Sequence, residues 1–144
     1  MNKIKIRKTD LHASTLALGT DYFGTTVARD VCMELRDHYL EAGGNIIDTA
    51  AYACWVPGGE HQSEKVIGEW LRERDTRDQV VLSTKGAHPK LESMNIPRLS
   101  KAEMQADLDS SVERLGVECA WVMKMVRNRL ALAFTRWSSL SPSG

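Results

Sequence analysis

Three residues carry the proton chemistry available to this sequence: Asp48, Tyr52 and Lys85. Asp48 closes the apolar run Asn45-Ile46-Ile47, and Lys85 closes Gln79-Val80-Val81-Leu82-Ser83-Thr84. Short apolar runs bounded by turn residues read as buried strands. In parallel α/β folds functional residues collect at the C-terminal ends of strands, so a carboxylate, a phenol and an ammonium there form a proton-transfer set. Gly19-Thr20 ends an earlier run, Leu16-Ala17-Leu18, at the same level. Plainer roles stay open: Asp48 as a cap for its loop, Lys85 as a solvated loop lysine.

The intervening sequence supplies elements to position them. Ile4 and Ile6 alternate with polar residues as in a short hairpin strand, and a first buried strand is expected to end at Gly19. Val27, Val31, Leu35 and Tyr39 recur every four residues and predict one apolar face of a helix over Thr26–Glu41, ended by Gly43-Gly44. After a loop with Pro57-Gly58-Gly59, Ser63 is expected to cap a second helix. Its inner face would carry Val66, Ile67, Trp70 and Leu71, with Glu64 near its positive end. Ser100 and Glu103 predict a capping box for a third helix carrying Met104, Leu108, Val112 and Leu115 and stopping at Gly116. Strand and helix alternate three times at about 30 residues per unit, which suits parallel βαβ units.

Several function classes have no footing. Hydrophobic content of 42%, charged content of 26% and a formal net charge of +0 are ordinary for a soluble domain and give no global attraction to nucleic acid. Cys32, Cys54 and Cys119 are an odd, widely spaced set, expected to be free thiols in a reducing cytoplasm. No signal-peptide core and no apolar stretch of about 18 residues occur, so no membrane span is expected. His12, His38, His61 and His88 are scattered and suggest no metal site; His88, just past Lys85, reads as a solvated loop residue. Gly19 to Gly24 has P-loop glycine spacing, but Thr25 stands where that loop needs Lys. There is no GxGxxG and hence no Rossmann fingerprint.

Taken together, Gly19-Thr20, Asp48-Thr49-Ala50 with Tyr52, Trp55-Val56-Pro57-Gly58-Gly59-Glu60, Ser63-Glu64-Lys65-Val66-Ile67-Gly68 and Thr84-Lys85 resemble the aldo-keto reductases over about residues 4–118. That family is built on (β/α)8 TIM barrels, so the resemblance implies an α/β fold comprising the N-terminal part of such a barrel, three to four βα units. It implies NADP(H)-dependent reduction of aldehydes or ketones to alcohols. Tyr52 would be the general acid. A free phenol has a pKa near 10, and an ammonium favours the phenolate, the work assigned to Lys85. Asp48 would hold Lys85 charged and oriented, and Gly19, Thr20 and Asp48 would lie at the nicotinamide. The family usually places its Tyr five residues after the Asp; here the interval is four, and Ala53 follows.

The resemblance also implies a His at the end of the fourth strand, but no His follows His88. The groups that hold the cofactor's phosphates come, in this family, mostly from the last two βα units. Four of the 19 basic residues and none of the 19 acidic ones lie after Glu118, which leaves residues 1–118 at −4 and residues 119–144 at +4. This shift divides the chain into a barrel-like part, 1–118, and a basic tail, 119–144, read as out-of-frame or non-native sequence. The alternatives are a divergent fourth strand and helix over Ala120–Trp137, or a basic segment that binds a membrane or partner. An open half barrel is expected to self-associate through its sheet edges. The competing reading is a catalytically inactive fragment that at most binds a partner through that sheet.

Overall fold

The structure, a computed structural model, describes residues 1–6, 9–52, 58–126 and 129–138, with backbone only at residue 91 and from residue 119 onward. A two-stranded antiparallel hairpin, β1 (Lys3–Lys5) and β2 (His12–Ser14), precedes a five-stranded sheet in the order β3-β4-β5-β6-β7. Strands β3 (Ala17–Gly19), β4 (Ile46–Asp48), β5 (Val81–Gly86) and β6 (Cys119–Val126) are mutually parallel, and β7 (Arg129–Ser138) runs antiparallel to β6. Helices α1 (Arg29–Glu41), α2 (Gln62–Arg74) and α3 (Lys101–Leu115) connect the parallel strands in turn.

Period-two alternation divides the sheet. Ile47 of β4 and Leu82 of β5 face the helices and join a core with Met33, Ile67, Trp70, Leu71, Leu108, Val112 and Leu115. On the other face the register sets Gly19, Asp48 and Ser83 in one row, with Lys85 one layer further along β5. The hairpin closes the opposite, N-terminal ends of the strands. The Ser14 amide donates to Asn45 Oδ1 (2.7 Å), and the Tyr39 hydroxyl lies 2.7 Å from the Leu16 carbonyl and 2.9 Å from Ser14 Oγ.

The helix ends follow their sequence signals in part. The Ser100–Glu103 capping box is formed in both directions, and Gly116 takes the left-handed conformation (φ 66°) that ends α3. Ser63 does not cap α2. The N-cap is His61, itself left-handed (φ 65°), and Ser63 lies fully buried in the helix's first turn. Helix α1 begins at Arg29 rather than Thr26, and its buried face is Cys32, Met33 and Arg36. Val31 and Leu35, expected inside, are 45% and 44% exposed. They lie on the flank away from α2, where no described element packs. For the same reason β3 is less buried than its sequence suggests: it is an edge strand, with Ala17 and Gly19 exposed.

Arg36 is the unexpected interior residue. Its guanidinium lies 5.2 Å from the Phe23 ring centroid and 5.3 Å from that of Trp70, and Nη2 donates to Met33 Sδ (3.1 Å). Burial lowers its pKa to about 10.

After α3 the fourth parallel strand forms, with Ser83 opposite Trp121 and Lys85 opposite Met123. It is followed by another strand rather than a helix. Residues 129–138 are mostly Arg, Leu and Ala with only Thr135 β-branched, so the strand is set by its pairing along β6. Cys32 is a buried free thiol, whereas Ala53–Pro57 and the Cys119 side chain fall outside the described residues. None of the described helices is long and apolar enough to cross a membrane.

Candidate active site

The Asp48 and Lys85 side chains meet because β4 and β5 are parallel and in register. Asp48 pairs with Ser83, and Lys85, two residues on, shares its face. Lys85 Nζ donates to Asp48 Oδ2 at 2.7 Å and to the Thr49 carbonyl at 3.0 Å. Ser83 Oγ donates to the other carboxylate oxygen, Oδ1, at 3.1 Å. Both carboxylate oxygens are therefore held, and two of the three ammonium donors have fixed acceptors. The pair is partly buried, with side-chain exposures of 20% for Lys85 and 30% for Asp48, so it keeps contact with solvent at the sheet's end. In the sequence Ser83 stands in the strand run without an assigned role. Its two-residue spacing from Lys85 is the signal that could have found it.

Beneath this pair lies a buried chain of hydroxyls. The Thr20 hydroxyl donates to the Asp48 carbonyl (2.9 Å), and that carbonyl also accepts the Thr20 amide (3.0 Å). Ser63 Oγ lies 2.9 Å from Thr20 Oγ1 and 2.7 Å from Thr49 Oγ1. A hydroxyl has one proton, so with Thr20 donating to the carbonyl, Ser63 donates to Thr20 and Thr49 donates to Ser63. This order ties the ends of β3 and β4 to the first turn of α2. The Thr20 side chain therefore points toward α2, away from the row containing Asp48. Gly19 is on that row, and a Cβ built there would meet nothing within 4 Å. The space beside Gly19 on this row is open.

Glu64, next to Ser63, is fully buried. Its Oε1 accepts from Thr84 Oγ1 and its Oε2 from Arg114 Nε, each at 2.6 Å. Arg114 also donates to Ser110 and Ser111. This buried pair locks β5, α2 and α3 together on the helix side of the sheet, under the strand that carries Lys85.

Tyr52 lies four residues beyond Asp48, after the end of β4. Its ring stacks on His88 (centroids 5.1 Å apart, planes at 23°) and tilts against His61 (5.3 Å, 59°). His88 is thus not simply solvated; its ring packs on the phenol. Burial, followed by the positive charge of Arg114, lowers the pKa of His61, so its imidazole favours the neutral form. The loop from β5 to α3 that carries His88 is tied down by Arg98. Arg98 donates to Asp107 through both terminal nitrogens (3.0 and 2.5 Å) and to the His88 carbonyl (3.1 Å).

A sequence profile of the Aldo/keto reductase family matches residues 15–124. The norsolorinic acid reductase stcV of Emericella nidulans is 36% identical over 117 residues, a match covering 76% of this chain and 28% of that protein. Norsolorinic acid reductase B of Aspergillus parasiticus is 32% identical over 119 residues, 73% of this chain and 30% of that one. Among solved structures, the aldo-keto reductase PA4992 from Pseudomonas aeruginosa superposes with a TM-score of 0.74 at 25% identity, over 90% of this chain and 49% of that one. The holo form of AKR11C1 from Bacillus halodurans gives 0.69 at 25% identity, over 86% and 40%. The chain thus spans about half the length of the solved relatives and under a third of the two fungal reductases, and its parallel sheet corresponds to part of their TIM barrels. The matched segment holds Gly19, Asp48, Ser83 and Lys85, contains most of β6, and follows the same α/β order, so the chain belongs to the aldo/keto reductase family.

Proposed function

We propose that this chain carries the proton-handling part of an NADP(H)-dependent oxidoreductase that interconverts small carbonyl compounds and alcohols. The observation that carries this reading is the Lys85–Asp48 ion pair, with Ser83 on the second carboxylate oxygen, at the C-terminal ends of adjacent parallel strands. Asp48 fixes the position of the ammonium. Lys85, held by Asp48 and the Thr49 carbonyl, is the ammonium that would favour the phenolate of Tyr52. Tyr52 gives its proton to the substrate oxygen as that oxygen gains charge, and recovers it in the reverse direction. Gly19 leaves room beside Asp48 for the nicotinamide. The cofactor, when bound, supplies or accepts the hydride.

The test is NADPH binding by the chain, read from cofactor fluorescence, with Asp48→Asn and Lys85→Met beside it. Saturable binding that both substitutions weaken supports the reading, and consumption of NADPH with an aldehyde extends it to turnover. A folded sample that leaves the cofactor signal unchanged overturns it for this chain. A second reading is an inactive unit that joins a partner through its bare edge. The edge position of β3 and the exposed Leu16 before it favour it, and it predicts self-association without cofactor binding.

A further inference from the structure

Three described residues other than glycine have left-handed backbone: His61 (φ 65°), Asp75 (φ 51°) and Ala87 (φ 67°). Asp75 is the C-cap of α2, a place where that conformation is common. The other two have no such excuse. His61 begins α2 without a side-chain cap, and Ala87 directly precedes His88. Strained backbone of this kind persists where surrounding structure enforces it, and it gathers at functional sites. Both strained corners deliver an imidazole to one ring, that of Tyr52.

Each corner is held in place. The His61 amide donates to the Ala51 carbonyl at 2.8 Å, next to Tyr52 in the chain. The Ala87 amide donates to Asp107 Oδ2 at 2.9 Å, and Asp107 is gripped by Arg98, which also binds the His88 carbonyl. His88 Nδ1 lies 2.5 Å from the Pro89 carbonyl; a carbonyl only accepts, so Nδ1 carries the proton and the ring orientation is fixed. The two ring contacts lie within the spacing at which aromatic pairs attract.

We propose that His88 and His61 are positioning residues that clamp the Tyr52 phenol, and that Arg98 and Asp107 hold the His88 side of the clamp shut. The proposal rests on the reading of Tyr52 as the proton donor. A phenol on a loop shortened by one residue needs its plane set from outside, and a stacked imidazole sets it. An ångström of misplacement can cost about a hundredfold in rate.

The test is aromatic NMR of the full chain labelled in its three tyrosine rings, with Tyr52 assigned by Tyr52→Phe. His88→Ala should move the Tyr52 signals while Tyr22 and Tyr39 stay in place, and His88→Phe should keep Tyr52 near its original position. Asp107→Asn, which loosens the loop without removing a ring, should give a smaller change in the same sense and serves if His88→Ala fails to fold. Tyr52 signals that ignore both His88→Ala and Asp107→Asn overturn the clamp. With turnover, His88→Ala should lower kcat roughly tenfold to a hundredfold at unchanged NADPH affinity. His88→Phe should recover most of that loss, and an equal loss in both variants overturns positioning by stacking. A chain that does not bind NADPH refutes the donor reading, while the NMR result still decides the clamp.

Discussion

Helices α1 and α2 are both 13 residues long and both carry apolar residues at helical spacing, yet they are finished differently. In α2, Val66, Ile67, Gly68, Trp70 and Leu71 are all buried, because β5, α1 and α3 surround the helix. In α1 the faces toward α2 and the strands are covered. The α2 interface mixes the Arg36 sandwich with rim pairs, Arg29 to Glu69 at 2.7 Å and Arg74 to Asp37 at 3.1 Å, and the Trp70 indole donates to Asp37 at 2.7 Å. The other flank leaves Val31 and Leu35 45% and 44% exposed. An apolar stripe is thus a capacity to pack, and a neighbouring βα unit decides whether the capacity is used.

The sharpest way to break the α2 side is Glu64→Ala. It leaves the Arg114 charge and the Thr84 hydroxyl without their buried partner, and urea denaturation should show a loss of about 3–5 kcal/mol. The double variant Glu64→Leu with Arg114→Met should recover most of it, since an apolar pair of similar size removes the unpaired charge. A loss under about 1 kcal/mol for Glu64→Ala would mean that water reaches this pair.

Gly68→Ala tests the closeness of α2 and α3. An added Cβ would meet the Arg114 carbonyl oxygen at 2.5 Å and that of Leu115 at 3.0 Å, so the helices must separate. The expected cost is about 1–3 kcal/mol, seen as a lower Tm. An unchanged Tm would show that the contact yields freely.

Next comes pH. The pKa of His61 is lowered below its usual 6.5, chiefly by burial. Between the folded and unfolded values the unfolded chain binds the proton that the folded chain refuses, so stability should fall as pH drops below about 6.5 and level off below the folded pKa. His61→Gln should flatten that part of a plot of urea midpoint against pH. A slope that survives the substitution assigns the effect to another group.

The smallest effect belongs to the bare flank. Leu35→Ser should change stability by no more than about 0.5 kcal/mol, because little packing is lost. A larger loss, or a change in sedimentation, would show that another chain covers this flank in solution.

Much of the fold is legible because its signals are local. The Ser100–Glu103 box, the stop at Gly116 and the inner face of α2 are set by residues within about four positions of one another. The stripe of α1 misleads because Val31 and Leu35 meet the spacing rule but have no neighbour. Ser63 reads as a cap for the same local reason; its hydroxyl instead goes to Thr20 and Thr49, 43 and 14 residues away. The strand β7 differs from the alternative weighed over Ala120–Trp137, a fourth strand and a helix, because pairing with β6 outweighs local preference.

The residue types of the site, their order and their places at strand ends can be read from the chain alone, since period-two alternation and turn residues are written along it. So can the three strand–helix repeats. Tertiary structure alone decided that Lys85 reaches Asp48 across 37 residues with Ser83 on the second oxygen, that Glu64 is buried against Arg114, and that two histidines close on Tyr52. Those partners are distant in the chain. They meet only when the parallel register and the helix packing are in place, and no local propensity encodes that register.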